Sequence, residues 1–429
     1  MNVLMFGWEF PPVISGGLGT ACFGLTKALA EKGTAITFVL PRIQKDPGGS
    51  HVSLIGANRI SVTNAEKHLR EFRKNIKMLS VDSALHPYVS PREYERVISS
   101  LTRQEERHER TEEISSDFSG VYGPDLMSEI TRYSIVAGAY APFRDCDIIH
   151  AHDWMTFPAG IRAKAQTGKP LVVHVHALEF DRSGDNINRD VFDIEQAGME
   201  AADAVIAVSF YTKQRIIEKY GIPAEKIHVV HNAVTKETRI GNLHITRPLD
   251  EKIVLFLGRV TFQKGPDYFI EAARKVISRI PDVRFVMAGT GDMFTRMVET
   301  VAKERIGKHF HFTGFLQGAE VEKMYAMSDL YVMPSVSEPF GIAPLEAMLY
   351  NIPVIVSKQS GVSEVLDHAV KVDFWDTEQL ADSIISLLTD TNLARDLVRK
   401  NTEQLAQIKW EIAADKTLAV YRQTAGAVC

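Results

Sequence analysis

The sequence predicts an α/β protein built from two doubly wound domains, and three observations carry that prediction. Short runs that are apolar at nearly every position alternate with stretches of helical periodicity, the pattern of strands buried on both faces of a parallel sheet. The alternation occurs twice, on either side of a polar, aperiodic stretch from Thr235 to Glu251 that reads as a linker. At 429 residues the chain also exceeds what one core organises, since domains average ~150 residues.

The elements follow in order. Asn2-Val-Leu-Met-Phe6 is the first strand, Leu18 to Lys32 a helix stopped by Gly33, and Ala35 to Leu40 a strand ended by Pro41. Residues 43–123 then interrupt the pattern. Asp46 to Ser50 is a loop within them. Pro91 to Glu113 is dense in Arg and Glu, with Tyr94, Val97, Ile98 and Leu101 at helical spacing, as in a solvated helical insertion. Arg70, Arg73, Lys74 and Lys77 form a basic helical face. Peripheral contact with an anionic membrane is the reading not favoured there; a solvated surface is preferred. Strands resume at Asp147–His150, Leu171–His174, Ala204–Val208 and Ile227–Val230. The second set comprises Ile253–Leu257, Val283–Met287, Leu330–Met333 and Pro353–Val356, with helical segments near 265–279, 291–306, 319–328 and 344–350. A final helix runs from Trp410 to Arg422. The predicted domains are therefore 1–235 and 252–405, followed by a terminal helical segment in 406–429.

Composition narrows the class. Hydrophobic residues are 45% and charged residues 24% of the chain, the balance of a globular protein. A net charge of −5 argues against nucleic acid as the main partner. Cys22, Cys146 and Cys429 are odd in number and far apart in sequence, which predicts neither a disulfide framework nor a metal cluster. That usage fits a reducing cytoplasm. The opening Met1-Asn-Val-Leu-Met-Phe reads as a strand, not a secretory leader.

Four motifs carry chemistry. Gly16-Gly17-Leu-Gly19 lies between the first strand and its helix, where glycines let backbone approach a ligand. Tight-turn packing is the alternative. Dinucleotide binding fails a specific test, because the second strand ends Thr37-Phe-Val-Leu-Pro41 without the acid that would hold a ribose. His150-Ala-His152-Asp153-Trp154 ends a buried strand, where open α/β sheets bind ligands; a satisfied core histidine is the alternative for His152. Asp145 and Asp147 lie at the other end of that strand and read as a loop, so no metal is assigned. Arg259 and Lys264 flank a loop at the end of the second domain's first strand, where fixed cations suit a diphosphate; plain surface exposure is the alternative. Pro334-Ser-Val-Ser-Glu338-Pro-Phe-Gly341-Ile342-Ala-Pro344-Leu-Glu346 joins a strand to a helix opened by Pro344. A carboxylate in that first turn can grip vicinal hydroxyls.

Together these residues resemble the retaining glycosyltransferases of family four, which have the GT-B fold, use nucleotide sugars and include many glycogen synthase-like enzymes. The marker is Glu-x7-Glu, here Glu338 to Glu346, joined by Gly16-Gly17, His152 and the Arg259/Lys264 pair. The similarity covers both domains and leaves out mainly the insertion. It implies two Rossmann-like domains facing across a cleft, an acceptor side in the first domain and a donor side in the second, with the C-terminal helix crossing back to the N-terminal domain. By the same resemblance Arg259 and Lys264 neutralise the leaving diphosphate, Gly16 and Gly17 bring backbone to it, and His152 contacts the transferred sugar. Glu338 holds sugar hydroxyls, Glu346 the ribose, Gly341 and Ile342 lie with the donor, and Gly289 and Gly291 pack the base. His176 and Glu179 line the acceptor side. The implied reaction moves a hexose, glucose in the first instance, from UDP-glucose or ADP-glucose to a glycan acceptor such as an α-glucan, without a cofactor or metal. The alternatives are a transferase of lipid-linked or cell-surface glycans, and a non-catalytic sugar-nucleotide binder on the same fold. The chain departs from the family at Ile14, at Asn232-Ala-Val234 and at Ser360-Gly361, positions that bear on the donor more than on the reaction class.

Overall fold

A computed structural model describes residues 1–11, 16–43, 50–60, 126–235 and 251–426. The helical insertion, its basic face, most of the linker and Ile14 lie outside the described residues. In the first domain the order is β1 (Asn2–Phe6), α1 (Gly17–Glu31), β2 (Ala35–Leu40), β3 (Ser53–Gly56), α2 (Leu126–Tyr140), β4 (Ile148–His152), α3 (Phe157–Thr167), β5 (Leu171–Val175), α4 (Glu179–Ser183), α5 (Arg189–Ala201), β6 (Ala204–Ala207), α6 (Phe210–Tyr220) and β7 (Ile227–Val229). The second continues with β8 (Lys252–Leu257), α7 (Pro266–Ile277), β9 (Val283–Ala288), α8 (Phe294–Lys303), β10 (Phe310–Gly314), α9 (Ala319–Met327), β11 (Leu330–Met333), α10 (Ala343–Leu349), β12 (Val354–Ser357), β13 (Val370–Val372), α11 (Thr377–Thr389) and α12 (Thr391–Leu405). α13 (Trp410–Gly426) closes the chain.

Among the described residues the strands form two parallel sheets, ordered β3-β2-β1-β4-β5-β6-β7 and β10-β9-β8-β11-β12-β13. Each sheet reverses its winding beside its first strand, at β1/β4 and at β8/β11. Such switch points open a crevice at the carboxyl ends of the strands. β4 and β5 are buried at every position, as central parallel strands covered by helices must be.

The first domain's core has a layer on each face of its sheet. One contains Tyr133, Phe157 and Tyr220 from α2, α3 and α6. The other contains Cys22, Leu25 and Leu29 of α1 together with Trp410, Leu418 and Tyr421. The terminal helix thus returns from the second domain to complete the first. It comes close because of Gly24: a Cβ there would stand 2.2 Å from the Trp410 ring. Ile342 and Ile408 pack against cores of both domains. Among the described residues no helix is long and apolar enough to cross a membrane.

Three sequence expectations need correction. β3 pairs with β2, Thr37 opposite Ser53 through Leu40 opposite Gly56, so the first part of 43–123 belongs to the sheet. β10 and β13 were not expected. All three are edge elements of three to five residues with partly exposed positions, too short and too exposed to give a buried-strand signal. Finally, β4 continues through His152, with Asp147 ahead of it.

Candidate functional site

On the first domain, the candidate residues gather at the ends of β4 and β5. His150 and His152 share one face of β4 because side chains alternate along a strand; His174 and His176 do the same at β5. The register sets His152 opposite His174. Four imidazoles therefore stack, with centroids 4.2 Å apart for His150/His152 and 4.3 Å for His174/His176. His152 Nδ1 lies 3.1 Å from His176 Nε2, and His150 Nδ1 is 2.5 Å from the Tyr421 hydroxyl. Burial, reinforced for His150 by its neighbour His176, lowers His150 to about 3, and burial lowers His176 to about 3. Burial also holds His152 and His174 well below the usual imidazole range. The array is neutral near pH 7.

Asp153 closes β4 with φ of 63°, a left-handed conformation uncommon for a non-glycine residue. Its Oδ1 accepts from the amides of His176 at 3.0 Å and Ala177 at 3.3 Å, which ties the ends of β4 and β5 together. Burial pushes its carboxyl up to about 6 against the opposing pull of Arg182. Gly16 adopts an extended backbone as the N-cap of α1. Gly17 is exposed, and a Cβ there would meet nothing within 4 Å, so open space adjoins its backbone.

Glu179 differs from the sequence expectation. It is 1% exposed. Its Oε2 accepts from Arg182 Nε at 3.2 Å, and its Oε1 from the Ser183 hydroxyl and, at 2.9 Å, the Asn188 amide. It anchors α4 from inside instead of lining the cleft. The reason is local: Arg182, only partly exposed, pairs with Glu195 as well as Glu179, which turns Glu179 toward the guanidinium.

The fold also changes the reading of the cysteines. Cys22, remote in sequence, has its Sγ near ring nitrogens of His152 and His176, all within 4.8 Å. A second group at that spacing is His150, His152 and His174. In that second group the rings lie within 10–30° of parallel, so their in-plane lone pairs run side by side and do not converge on one point. Burial raises the Cys22 thiol well above its ordinary value, which keeps it protonated.

On the second domain, the loops after β8, β9 and β10 are laced by main-chain bonds. Gly258 N donates to Ala288 O at 3.0 Å, Val260 N to Thr290 O at 2.9 Å, and Gly289 N to Gly314 O at 2.8 Å. Gly289 has φ of 139°, and a Cβ on it would fall 1.8 Å from Gly258 O; one on Gly291 would fall 2.3 Å from Val260 O. These glycines have a packing reason of their own. Phe315, just past β10, leaves an aromatic face 52% exposed at this edge.

Arg259 Nη2 donates to Gln263 Oε1 at 3.1 Å. Lys264, in a 3₁₀ turn over Phe262–Lys264, pairs with Glu338. Glu338 is 6% exposed and also accepts from Ser335 Oγ at 3.3 Å. Its main chain is pinned by Glu338 N to Gln359 O at 3.0 Å and Gly361 N to Glu338 O at 2.9 Å. Gly341 turns the chain at φ of 96°, and a Cβ there would lie 3.0 Å from Glu338 Cγ. Glu346, in the first turn of α10, accepts from the Tyr325 hydroxyl at 3.0 Å. Burial raises its carboxyl, the Tyr325 bond opposing. Burial, reinforced by Glu338 and Glu346, raises the Tyr331 hydroxyl well above its ordinary value.

The structure thus joins His152 to His176 and Lys264 to Glu338, and sets Arg259 and the two glycines on adjacent strand ends. Sequence reasoning named Asp153 only as part of the strand-end cluster and gave no role to Arg182 or Phe315. Phe315 follows a strand too short to recognise.

The N-terminal half matches a family model described as Glycosyltransferase Family 4 over residues 96–238. The C-terminal half matches one described as Glycosyl transferases group 1 over residues 244–404. The α-maltose-1-phosphate synthase of Mycolicibacterium smegmatis is 30% identical over 311 residues, 64% of this chain and 79% of that one. The glycogen synthase of Mycobacterium tuberculosis is 25% identical over 445 residues, covering 98% of this chain and 94% of that one. Among solved structures, Anabaena HepE in complex with UDP and glucose superposes with a TM-score of 0.64 at 16% identity, covering 98% of this chain and 99% of that one.

Proposed function

The chain belongs to the family 4 glycosyltransferases of the GT-B fold, and from that premise we propose that it transfers a hexose from a nucleoside diphosphate sugar to a glycan acceptor with retention of configuration. Glucose is the proposed sugar, UDP or ADP the carrier, and an α-glucan-like chain the acceptor. One observation carries the reading: Lys264 and Glu338 form a partly buried ion pair, and Lys264 shares its loop with Arg259 on the donor domain, while the first domain offers neutral imidazoles at its own strand ends. A relative named glycogen synthase and a fold neighbour holding UDP and glucose support the substrate class.

Glycosyl transfer builds positive charge on the sugar and negative charge on the departing phosphate. Arg259 supplies a planar fork and Lys264 a point charge for that phosphate. Because Lys264 already meets Glu338, donor binding inserts a diphosphate into an existing ion pair. The ammonium has three donors and can serve both partners, so sugar-facing Glu338 and leaving-group-facing Lys264 are fixed relative to each other before reaction. Preorganised charge of this kind lowers the barrier without reorganisation at the moment of transfer. His152 is itself fully buried, so the array meets the sugar through the partly buried His176, a neutral imidazole that adds no repulsion to the cationic transition state. Phe315 gives the base a stacking face, and Glu346 holds the ribose. Retention follows front-face attack in which the leaving phosphate accepts the acceptor's proton. No covalent glycosyl-carboxylate of the retaining-glycosidase type enters the proposal.

The test is a panel of nucleotide sugars with release of nucleoside diphosphate measured. Release from at least one glucose donor, abolished in Glu338→Gln, is expected. A protein that turns over none of them, or a fully active Glu338→Gln, would overturn the reading.

A further inference from the structure

The segments flanking Glu338 are held by the other domain. Ser337 Oγ donates to Asp181 Oδ1 at 2.6 Å, across 156 residues of sequence, and shares a hydrogen bond with the Tyr211 hydroxyl at 2.9 Å. Arg215 closes the ring: its Nε stands 3.3 Å from Asp181 Oδ1 as an ion pair, and its Nη1 donates to the Tyr211 hydroxyl at 3.0 Å. On the far side of Glu338, Pro339 O accepts from Ser209 Oγ at 2.6 Å and from Thr212 Oγ1 at 3.2 Å. Asp181 is 1% and Ser337 5% exposed. These are buried polar contacts, of the sort that matter because an unpaired group there is costly.

Their placement gives them a purpose. Asp181 lies five residues beyond His176, in the short helix α4. Its second oxygen, Oδ2, accepts from the Leu178 amide at 2.8 Å, which caps that helix. One carboxylate therefore fixes the segment leaving the histidine array and reaches the residue next to Glu338. The loop needs no such help to hold its own shape, since Val336 N already donates to Gln263 O at 2.9 Å and Glu338 N to Gln359 O at 3.0 Å. What the contact adds is the placement of one preformed half-site against the other. A second cross-domain contact agrees: Glu364 accepts from the Phe210 and Tyr211 amides at 2.8 and 2.6 Å.

We infer that Asp181 and Ser337 form a clasp that sets the register of the two domains, and that they are positioning residues which hold His176 and Glu338 on opposite sides of the transferred sugar. The catalytic part of this inference rests on the proposed reaction; the domain-register part does not. The clasp leaves the nucleotide's side-chain contacts alone, because Arg259, Lys264 and Glu346 belong to the second domain; only the Gly16–Gly17 backbone expected at the diphosphate lies on the first. It acts on the geometry between domains, where small misplacement lowers turnover steeply.

The experiment uses the full chain as Ser337→Ala, Ser337→Thr and Asp181→Asn, with Glu338→Gln as a separate control. With UDP-glucose or ADP-glucose, whichever the wild type turns over, Ser337→Ala should lower kcat at least tenfold. The Kd for the matching free nucleoside diphosphate should stay within twofold. Ser337→Thr, which keeps the hydroxyl, should recover most of the rate. Ser337→Ala and Asp181→Asn together should cost no more than the worse of the two. A wild-type kcat in Ser337→Ala beside an inactive Glu338→Gln would overturn the clasp and leave the reaction standing. So would equal losses in the Thr and Ala variants, which would mark a packing effect. If no donor is turned over, amide hydrogen exchange of the free protein decides the register claim. Exchange over 178–184 and 335–341 should rise at least fivefold in both Ser337→Ala and Asp181→Asn, and unchanged exchange in either variant would overturn the claim.

Discussion

The two half-sites solve the same positional problem with opposite electrostatics. At the ends of β4 and β5 the first domain packs four imidazoles so tightly that none carries charge near neutrality. Near the ends of β8 and β11 the second domain instead pairs its ionisable groups, Lys264 with Glu338 and Glu346 with the Tyr325 hydroxyl. The difference matches what each would face during transfer. A departing diphosphate needs fixed positive charge, whereas a sugar gaining positive charge needs neighbours that add none. A buried charge is tolerable only when paired, and the first domain follows the same rule around its imidazoles, where Arg182 pairs with Glu179 and Glu195.

The largest effect that could break this comparison lies with the cations. Arg259→Ala and Lys264→Ala should each lower kcat by roughly 10²–10³, about 3–4 kcal/mol at the transition state. Melting temperature should change little. Near-normal turnover in either variant would remove the asymmetry between the halves.

Next come the two glutamates, which sharpen the comparison within the donor half. Glu338→Gln breaks the pair with Lys264 and should depress kcat with a smaller change in donor affinity, since the transferred sugar changes during reaction. Glu346→Gln should raise donor KM with kcat nearly kept, as loss of uniform binding does. Steady-state kinetics and donor Kd for both variants separate the roles; identical kinetic profiles would merge them.

The histidine array makes a prediction about acid. His150 and His176 titrate at about 3 when folded, against an ordinary 6.5. Their contribution is complete above pH 6.5 and is lost as pH falls toward 3. Asp153 at about 6 and Glu195 at about 7 are raised from 3.8 and 4.5. They act in the other direction: their contribution is complete below their unfolded values and is lost as pH rises through 6 to 7. Between about pH 4.5 and 6.5 the two sets oppose each other. Below about pH 4 the raised carboxylates no longer offset the histidines, and stability should fall by about 1.4 kcal/mol per pH unit for each histidine still titrating. Denaturant titrations from pH 7 to 3 should show a shallow region followed by a steep one. In Glu195→Gln the shallow region should steepen, with more stability lost on acidification from 6.5 to 4.5. An unaltered slope there would mean the carboxylate does not offset the array.

The smallest expected effect is that of chelation. With cations supplied by Arg259 and Lys264, turnover in excess EDTA should remain within twofold of the untreated enzyme. A strict requirement for added magnesium or manganese would reassign the charge on the leaving group to a metal.

Much of this was legible along the chain because its causes are local. Continuous apolar runs marked β4, β5, β8 and β11, among others, as strands buried on both faces of a parallel sheet, and the strand-end cluster His150-Ala-His152-Asp153 stood out as a motif. Pro344 opening a helix, with Glu346 in its first turn, is also a short-range effect. β3 and β13 escaped because Ser53-Leu-Ile-Gly and Val370-Lys-Val carry too few apolar positions to stand out from a loop; β7, as short, was read from the longer apolar run Ile227–Val230, although it forms a sheet edge and is not buried on both faces.

What only the tertiary structure decided are the relations between segments far apart in sequence. Parallel register set His152 against His174. Close packing of α1 brought Cys22 beside the imidazoles. The Arg182 guanidinium drew Glu179 inward, away from the cleft. Lys264 met Glu338 across 74 residues and Asp181 met Ser337 across 156. Residue type and spacing fix what a side chain can do; burial, which pairs charges or removes them, depends on which distant segment covers it.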